Sequence, residues 1–518
     1  MSTSKYFDRI CVIVFLAALV ITVLFMNGES LGITVVRDAD QERYEEGQYF
    51  TENDLNGSWD PEGAEEILLQ DTSVNMSGNG AYMRDGDLVI TASGRYVIRG
   101  SLSNGSIRID ASRNSKIWLL LDGVSLFRQD DACIRIDEAD KVFLTLAPGS
   151  QNTVESGSVY GEEALSDGTD GVIFARDDLT INGSGALTVR GGCKHGISAN
   201  DDLVITGGYI DVTSPEDGIR ANDRLNLCSA DITVHAGDDA IVLNHDTGTL
   251  CIASGTLTLY AKDDGIHSAS DILLNDGSLQ ITCADDAFHT DAGFSMTGGD
   301  IHILDSHEGI EAHDIRISGG TLEILCRDDG MNANSGLNSQ DLVIGPDGVQ
   351  TETARSAPSS LPAVTISGGS IRIYNPWGMN ADGIDSNGDI TINGGSVFIS
   401  LLGTGENCPL DCGLENGGTL LLNGGIIIAC GGTAAEAVSE ASTQCALLYL
   451  PESYTSSDMD LVLMEENGET LLSEKIPLSF SSAILSCPGL KKGQAYQLGL
   501  GEEVISLILN EAFTTIRE

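Results

Sequence analysis

The feature that most constrains this chain is a corner of Asp-Gly type that returns about every 22 residues. It reads TDG (169–171), KHG (194–196), EDG (216–218), DDA (238–240), DDG (263–265), DDA (285–287), HEG (307–309), DDG (328–330) and ADG (381–383). The small third residues lie 25, 22, 22, 25, 22, 22, 21 and finally 53 apart. A polar insert from Asn334 to about Pro362 fills the last gap, which is expected to be one repeat plus an excursion. Four residues past most corners stands Asn or Asp: Asn200, Asn222, Asn244, Asp291, Asn334 and Asn387. Short alternating runs with Gly-rich turns follow, among them LVITGGYIDV, FSMTGGDIHI, IRISGGTLEI, VTISGGSIRI and ITINGGSVFI. Period-two alternation broken by turns, with no helical spacing, indicates short strands.

A unit of this size cannot bury an apolar face alone. Winding the chain into a parallel β-helix solves the problem, because each coil then hydrogen-bonds the next at about 4.8 Å and the inward Ile, Leu and Val form continuous columns. The recurring Asn is expected to form a ladder of side-chain amides. Leucine-rich repeats need a consensus absent here, and propeller blades need about 40 residues. The expected fold is therefore all-β: a single-stranded parallel β-helix of about 22 residues per coil over residues 81–445. Strand-like runs between 85 and 160 (LVITASGRYVIRGSL, KIWLLLDGVSLF, KVFLTLAPGSQNTV) are expected to form its first coils and N-terminal cap. Residues 446–518 lose the period and read as a small C-terminal β cap, which an open solenoid end requires.

The chain carries 77 Asp and Glu against 27 Lys and Arg, a formal charge of −50. That charge repels phosphates and anionic headgroups, which excludes unaided nucleic-acid binding. A 41% hydrophobic content excludes a disordered polyacid. Residues 10–26 form an uncharged apolar run of 17 behind Lys5 and Arg9, a signal peptide or an uncleaved signal-anchor with the rest of the chain outside. Residues 27–80, with 13 acidic and 2 basic residues, read as a solvated acidic linker. The expectation is an exported, cell-surface monomer that meets the membrane only through its N-terminal segment.

The ordered motifs resemble a known family. GRYVIRG (94–100), LLLDGVS (119–125), GSQNT (149–153), DLTINGSGALTV (178–189), KHGI (194–197), the serial corners and SAILSCPGLKKGQAY (482–496) look like the bacterial secreted carbohydrate-binding-domain family. Its clostridial member resembles polysaccharide lyases and binds cellulose and pectin-like acidic sugars. The resemblance runs from about residue 85 to 500. It implies a right-handed parallel β-helix with Ca²⁺ at Asp-rich corners, and a binding rather than catalytic role toward cellulose or uronate-containing polysaccharide. KHG, HEG, the two DDA corners and the insert depart from the pattern.

The corners themselves point to a cation. In adjacent coils Asp238/Asp239, Asp263/Asp264 and Asp285/Asp286 would stack about one strand spacing apart. Such carboxylates repel by about 1 kcal/mol per pair in bulk water and by more in a partly buried turn. Ca²⁺, which takes 6–8 oxygen ligands, would offset this, and so would protonation. Asp328/Asp329 resume the run after Glu308, and Asp217 and Asp382/Asp385 flank it. The bland alternative is that Asp-Gly is simply a favoured turn pair.

A Ca²⁺-dependent polysaccharide lyase would need a basic residue beside the metal, and Lys262, Arg220 and Arg327 are the candidates. Each also reads as charge balance for its Asp turn. Sugar stacking needs exposed aromatics, and Tyr374 and Trp377 of YNPWGMN are the best pair; Trp118 is expected in the core. The histidines, including His267, His289 and His307, form no HxxxH or HxH pair and read as solvated loop residues rather than zinc ligands. Cys228 and Cys251 are expected at equivalent interior positions of neighbouring coils, and Cys408 and Cys412 are placed for a local bridge or a free thiol. A structural or adhesive solenoid without a glycan ligand is the remaining alternative.

Overall fold

In a computed structural model of the chain, the described residues are 49–517 apart from 72, 335–341, 345–349, 353–360, 379 and 435–437. The apolar run 10–26, the acidic stretch as far as residue 48 and most of the insert lie outside them. Each repeat supplies three short strands, and each strand pairs in parallel with its counterpart one repeat on. In the first stack Ile197 pairs with Ile219, Ile219 with Ile241, Ile241 with Ile266 and Ile266 with Phe288. It continues through Ile310, Met331 and Ile384 to Leu410. The second stack runs through Leu203, Leu225, Leu250 and Ile272, and the third through Ile210, Ile232, Leu257 and Leu279. The protein is thus all-β with one long parallel sheet, consistent with a β-helix.

The inward residues of all three stacks are buried and form one continuous core. Each such Leu or Ile contributes about 1.5–3 kcal/mol relative to exposure, so the core holds the coils together although no single repeat could stand alone. Two kinds of Gly make the winding possible. At the corner, a Cβ on Gly218 would lie 2.2 Å from Val234 Cγ1 and 2.6 Å from the Ala240 carbonyl. At the Gly-Gly turn, the second residue is left-handed, as in Gly299 (φ 93°) and Gly320 (φ 85°).

The 53-residue gap is one repeat plus an excursion. Met331 pairs directly with Ile384, and Ala363–Ile366 and Ser370–Asn375 supply the other two strands of that coil. Within the excursion Leu342–Ile344 pairs antiparallel with Gln350–Glu352. Ile426–Gly431, parallel to Ser396–Leu401, is the last strand of the third stack. Ile426–Gly431 takes Ser482–Ser486 as an antiparallel neighbour, and four strands between Met459 and Ile508 form a separate antiparallel sheet.

The described part of the acidic stretch departs from a solvated linker. Glu65–Gln70 joins the sheet beside Gly94–Leu102 and turns back through Ser73–Met76. Upstream, residues 49–59 lie across the outside of successive strands. The Tyr49 carbonyl accepts from Asn226 Nδ2 at 2.8 Å, and Asp54 accepts from Thr180 Oγ1 at 2.6 Å and pairs with Lys141 at 2.9 Å. Thr51 and Asp54 form a reciprocal capping box on the one-turn helix Glu52–Leu55. Asp54 is only 2% exposed. These acids are individual acceptors for particular partners, which composition alone cannot distinguish from a solvated run.

Three smaller expectations also change. The Asn ladder is short: the Asn222 and Asn244 amides lie 2.7 Å apart, but Ala269, Asp291 and His313 occupy the next three positions. Cys251 pairs with Asn226 rather than with Cys228, so the two thiols are two residues out of register. None of the eleven cysteines among the described residues is in a disulfide, Cys408 and Cys412 included.

Candidate functional site

The first strand stack places two columns of polar side chains side by side on one face. The corner column runs His195, Asp217, Asp239, Asp264, Asp286, Glu308, Asp329, Asp382 and Cys408 in successive coils. Three residues on, at the outward position of the strand, the second column runs Ser198, Arg220, Val242, His267, His289, Glu311, Asn332, Asp385 and Asp411.

The backbone accounts for half of five corner carboxylates, and Glu308 Oε1 accepts instead from Asn332 Nδ2 at 3.1 Å. The N–H of Asp264 donates to Asp239 Oδ1 at 2.8 Å, that of Asp286 to Asp264 Oδ1 at 3.0 Å, and that of Glu308 to Asp286 Oδ1 at 3.3 Å. Beyond the insert the pattern resumes, from Asp382 N–H to Asp329 Oδ1 and from Cys408 N–H to Asp382 Oδ1, both at 2.6 Å. One oxygen of each of these five Asp is therefore tied to the next coil; the other meets His267 in Asp264 and His289 in Asp286. Glu308 Oε2 is buried without a hydrogen-bond partner.

Stacking and burial penalise the charged forms. Burial, then the neighbouring acids, push Asp329 up to about 8, Asp382 to about 7 and Asp385 to about 6. Burial also raises Asp217 to about 6 against the pull of Arg220. Asp239, Asp286 and above all Glu308 move the same way, with burial the largest cause in each. Burial works against a charge on His289, yet hydrogen bonds donated to Asp286 and Glu311 hold its imidazolium up to about 11. Glu311 is lowered to about 2: burial would raise it, but bonds with His289, Asp286 and Asn334 outweigh that.

The sequence-derived candidates divide into three groups. Asp217, Asp239, Asp264, Asp286, Asp329 and Asp382 all stand in the corner column. Asp238, Asp263 and Asp285, the first members of their doublets, are exposed, and Asp328 is half-buried. Among the basic residues, Arg220 Nη1 sits 3.0 Å from His195 Nε2 and 3.5 Å from Asp217, Arg327 pairs with Asp305, and Lys262 is exposed. Tyr374 is half-buried, its hydroxyl accepting from Arg372 Nε at 2.8 Å and its ring 5.7 Å from Phe398, whereas Trp377 is 55% exposed. Trp118 points outward rather than into the core and stacks on Phe143 at 5.5 Å, because its neighbours Ile117 and Leu119 take the inward positions.

Two parts of the face are missed by reading corners alone. His267 and His289 are not solvated loop residues; they stand on strands with Nδ1 3.1 Å from Asp264 and Asp286 respectively, and their rings stack at 4.9 Å. The signal was present as DDGIH (263–267) and DDAFH (285–289), the same Asp-x-x-His spacing one coil apart. Asp411, which pairs with Asp385 one coil on, follows the same three-residue offset.

Carboxylates stacked in register, with oxygens left over and one orphaned, can take cations from solution and present them along a face. A family profile described as carbohydrate-binding domain-containing protein matches residues 84–345. This chain belongs to that family. A carbohydrate-binding domain-containing protein of Acetivibrio thermocellus is 31% identical over 216 residues, spanning 40% of this chain and 76% of that protein. Among solved structures, a polysaccharide lyase-like protein from C. thermocellum, determined as a gadolinium derivative, is 30% identical. That match covers 42% of this chain and 91% of the other, with a TM-score of 0.41.

Proposed function

We propose that the chain is an exported, calcium-stabilised polysaccharide-binding protein of the cell surface, non-catalytic and held there by its N-terminal apolar segment. In this reading the solenoid winds right-handed with about 22 residues per coil. Family membership supports the ligand class. The observation that carries the rest is the column of stacked, half-satisfied carboxylates on one face.

The donor set fits Ca²⁺, which prefers carboxylate and carbonyl oxygens in flexible geometry. The fit is best at Asp328, Asp329, Asp382, Asp385 and Asp411, where carboxylates predominate and the second column holds no imidazole. The run from Asp217 through Asp238, Asp239, Asp263, Asp264 and Asp285 to Asp286 offers further carboxylates, with the imidazoles of His195, His267 and His289 among them. Bound Ca²⁺ would neutralise the column and bridge it to uronate carboxylates of an acidic glycan. The engagement of Arg220 and Arg327 with acidic or imidazole partners supports charge balance over a lyase base. The exposed Trp377 ring is a stacking platform for a pyranose beside the Asp382 corner.

Affinity electrophoresis in gels cast with polygalacturonate or a soluble cellulose derivative tests this. Retardation in Ca²⁺ that disappears with chelator is expected. Equal mobility in every gel would favour the structural solenoid, and unsaturated oligouronides in the digest would favour the lyase.

A further inference from the structure

Two adjacent coils place an imidazole in the second column beside the corner carboxylates. His289 Nδ1 lies 3.1 Å from Asp286 Oδ2 and 3.2 Å from Glu311 Oε2. Asp264, Asp286 and His289 each offer a ligand atom within 4.8 Å of the others. One coil before, His267 Nδ1 lies 3.1 Å from Asp264 and 3.6 Å from Asp239. Ligand atoms about 2.0 Å from a zinc ion sit about 3.3 Å from one another in a tetrahedron, so these separations are edges that an ion fits.

The surrounding bonds already orient the ligands. Asp264 Oδ1 is held by the Asp286 N–H, and Asp286 Oδ1 by the Glu308 N–H. Glu311 Oε1 accepts from Asn334 Nδ2 at 2.6 Å, which leaves Oε2 for the imidazole side. Each carboxylate is thus fixed through one oxygen and presents the other, the arrangement that outer partners impose on metal ligands. One coil on, the buried and unpartnered Glu308 Oε2 adds a further oxygen beside the same set.

We propose that His289, Asp264, Asp286 and Glu311 form a site for a divalent transition-metal ion, distinct in metal preference from the Asp382–Asp385 corner downstream. Imidazole suits Zn²⁺, Cu²⁺ or Ni²⁺, whereas Ca²⁺ takes oxygen donors. His267 with Asp239 and Asp264 repeats part of the set and fills after it. The column then holds two cation classes in series, sorted by whether the second column offers imidazole or carboxylate. The site does not depend on the glycan reading, and it would stand if no polysaccharide bound.

The test uses the full chain stripped with chelator and titrated with Zn²⁺ by calorimetry and with Co²⁺ by visible absorption. Saturable binding with a Co²⁺ ligand-field band is expected, weakened at least tenfold in His289→Gln and less in His267→Gln. Calcium uptake by the downstream corners should persist in both variants. Cu²⁺ bound to the unsubstituted protein should show nitrogen hyperfine coupling, a readout that needs no variant to fold. Equal Zn²⁺ affinity in wild type and His289→Gln would overturn the proposal. So would no binding at all together with a protonated His289 by NMR, which would leave only an imidazolium ion-paired to Asp286 and Glu311. Loss of Ca²⁺ uptake alone would instead count against the calcium reading.

Discussion

Asp329 illustrates how a single residue reports on the whole column. Its carboxyl is raised from the ordinary 3.8 to about 8, chiefly by burial and then by Asp382 and Asp328. A raised acid contributes stability that is present below its unfolded pKa and lost as pH rises through the folded one. In chelator at pH 8 or above, Asp329→Asn should therefore melt higher than wild type, because the amide removes a charge the fold resists. In Ca²⁺ the order should reverse, because the amide is a poorer ligand; calorimetric scans in both buffers check the crossing. Asp54 behaves oppositely. Its carboxyl is lowered despite burial, by Thr180, Lys141 and Thr51, so its contribution is present above its unfolded pKa and lost as pH falls. Asp54→Ala leaves Lys141 unpaired, and a loss of about 3 kcal/mol at neutral pH is expected from denaturant unfolding.

At the scale of the element, the repeat was legible because its physics is periodic. Alternation marked the strands, and the third stack falls where IDV, IHI, LEI and IRI read as inward–outward–inward. The corner spacing predicted the register: Ile219, Ile241, Ile266 and Phe288 pair at the same offsets as the Gly and Ala before them. What was not legible depends on contacts between coils. The Asp-x-x-His units gain meaning only when stacking brings His267 and His289 together. The outward placement of Trp118 follows from strand parity, which an apolar run hides. The corner Gly makes a direct prediction at this scale. A Cβ on Gly330 would lie 2.4 Å from Ile373 Cγ2 and 2.5 Å from the Gly383 carbonyl, so Gly330→Val should cost about 1–3 kcal/mol by overpacking. Hydrogen exchange should show the damage concentrated in the two adjoining coils, since repeats contact mainly their neighbours.

For the whole molecule, the net charge of −50 is unevenly placed. Acids such as Asp54 are matched by a base, while the corner column concentrates acids for which the chain supplies few. Asp217, Asp329, Asp382 and Asp385 are all raised, to between about 6 and 8. By the same sign rule, the melting temperature of chelator-stripped protein should fall as pH rises from about 6.5 to 8; below that His195, lowered to about 3 by burial, and at strongly acidic pH Glu311 act the other way. Millimolar Ca²⁺ should flatten that fall. The most direct measurement is a calorimetric Ca²⁺ titration of the chelator-stripped chain, beside the Asp329→Asn/Asp382→Asn double variant. The account predicts saturable uptake by wild type and loss of part of that uptake in the variant, with strand content unchanged by circular dichroism. Folded protein that takes up no Ca²⁺, or a variant that binds as wild type does, would contradict it.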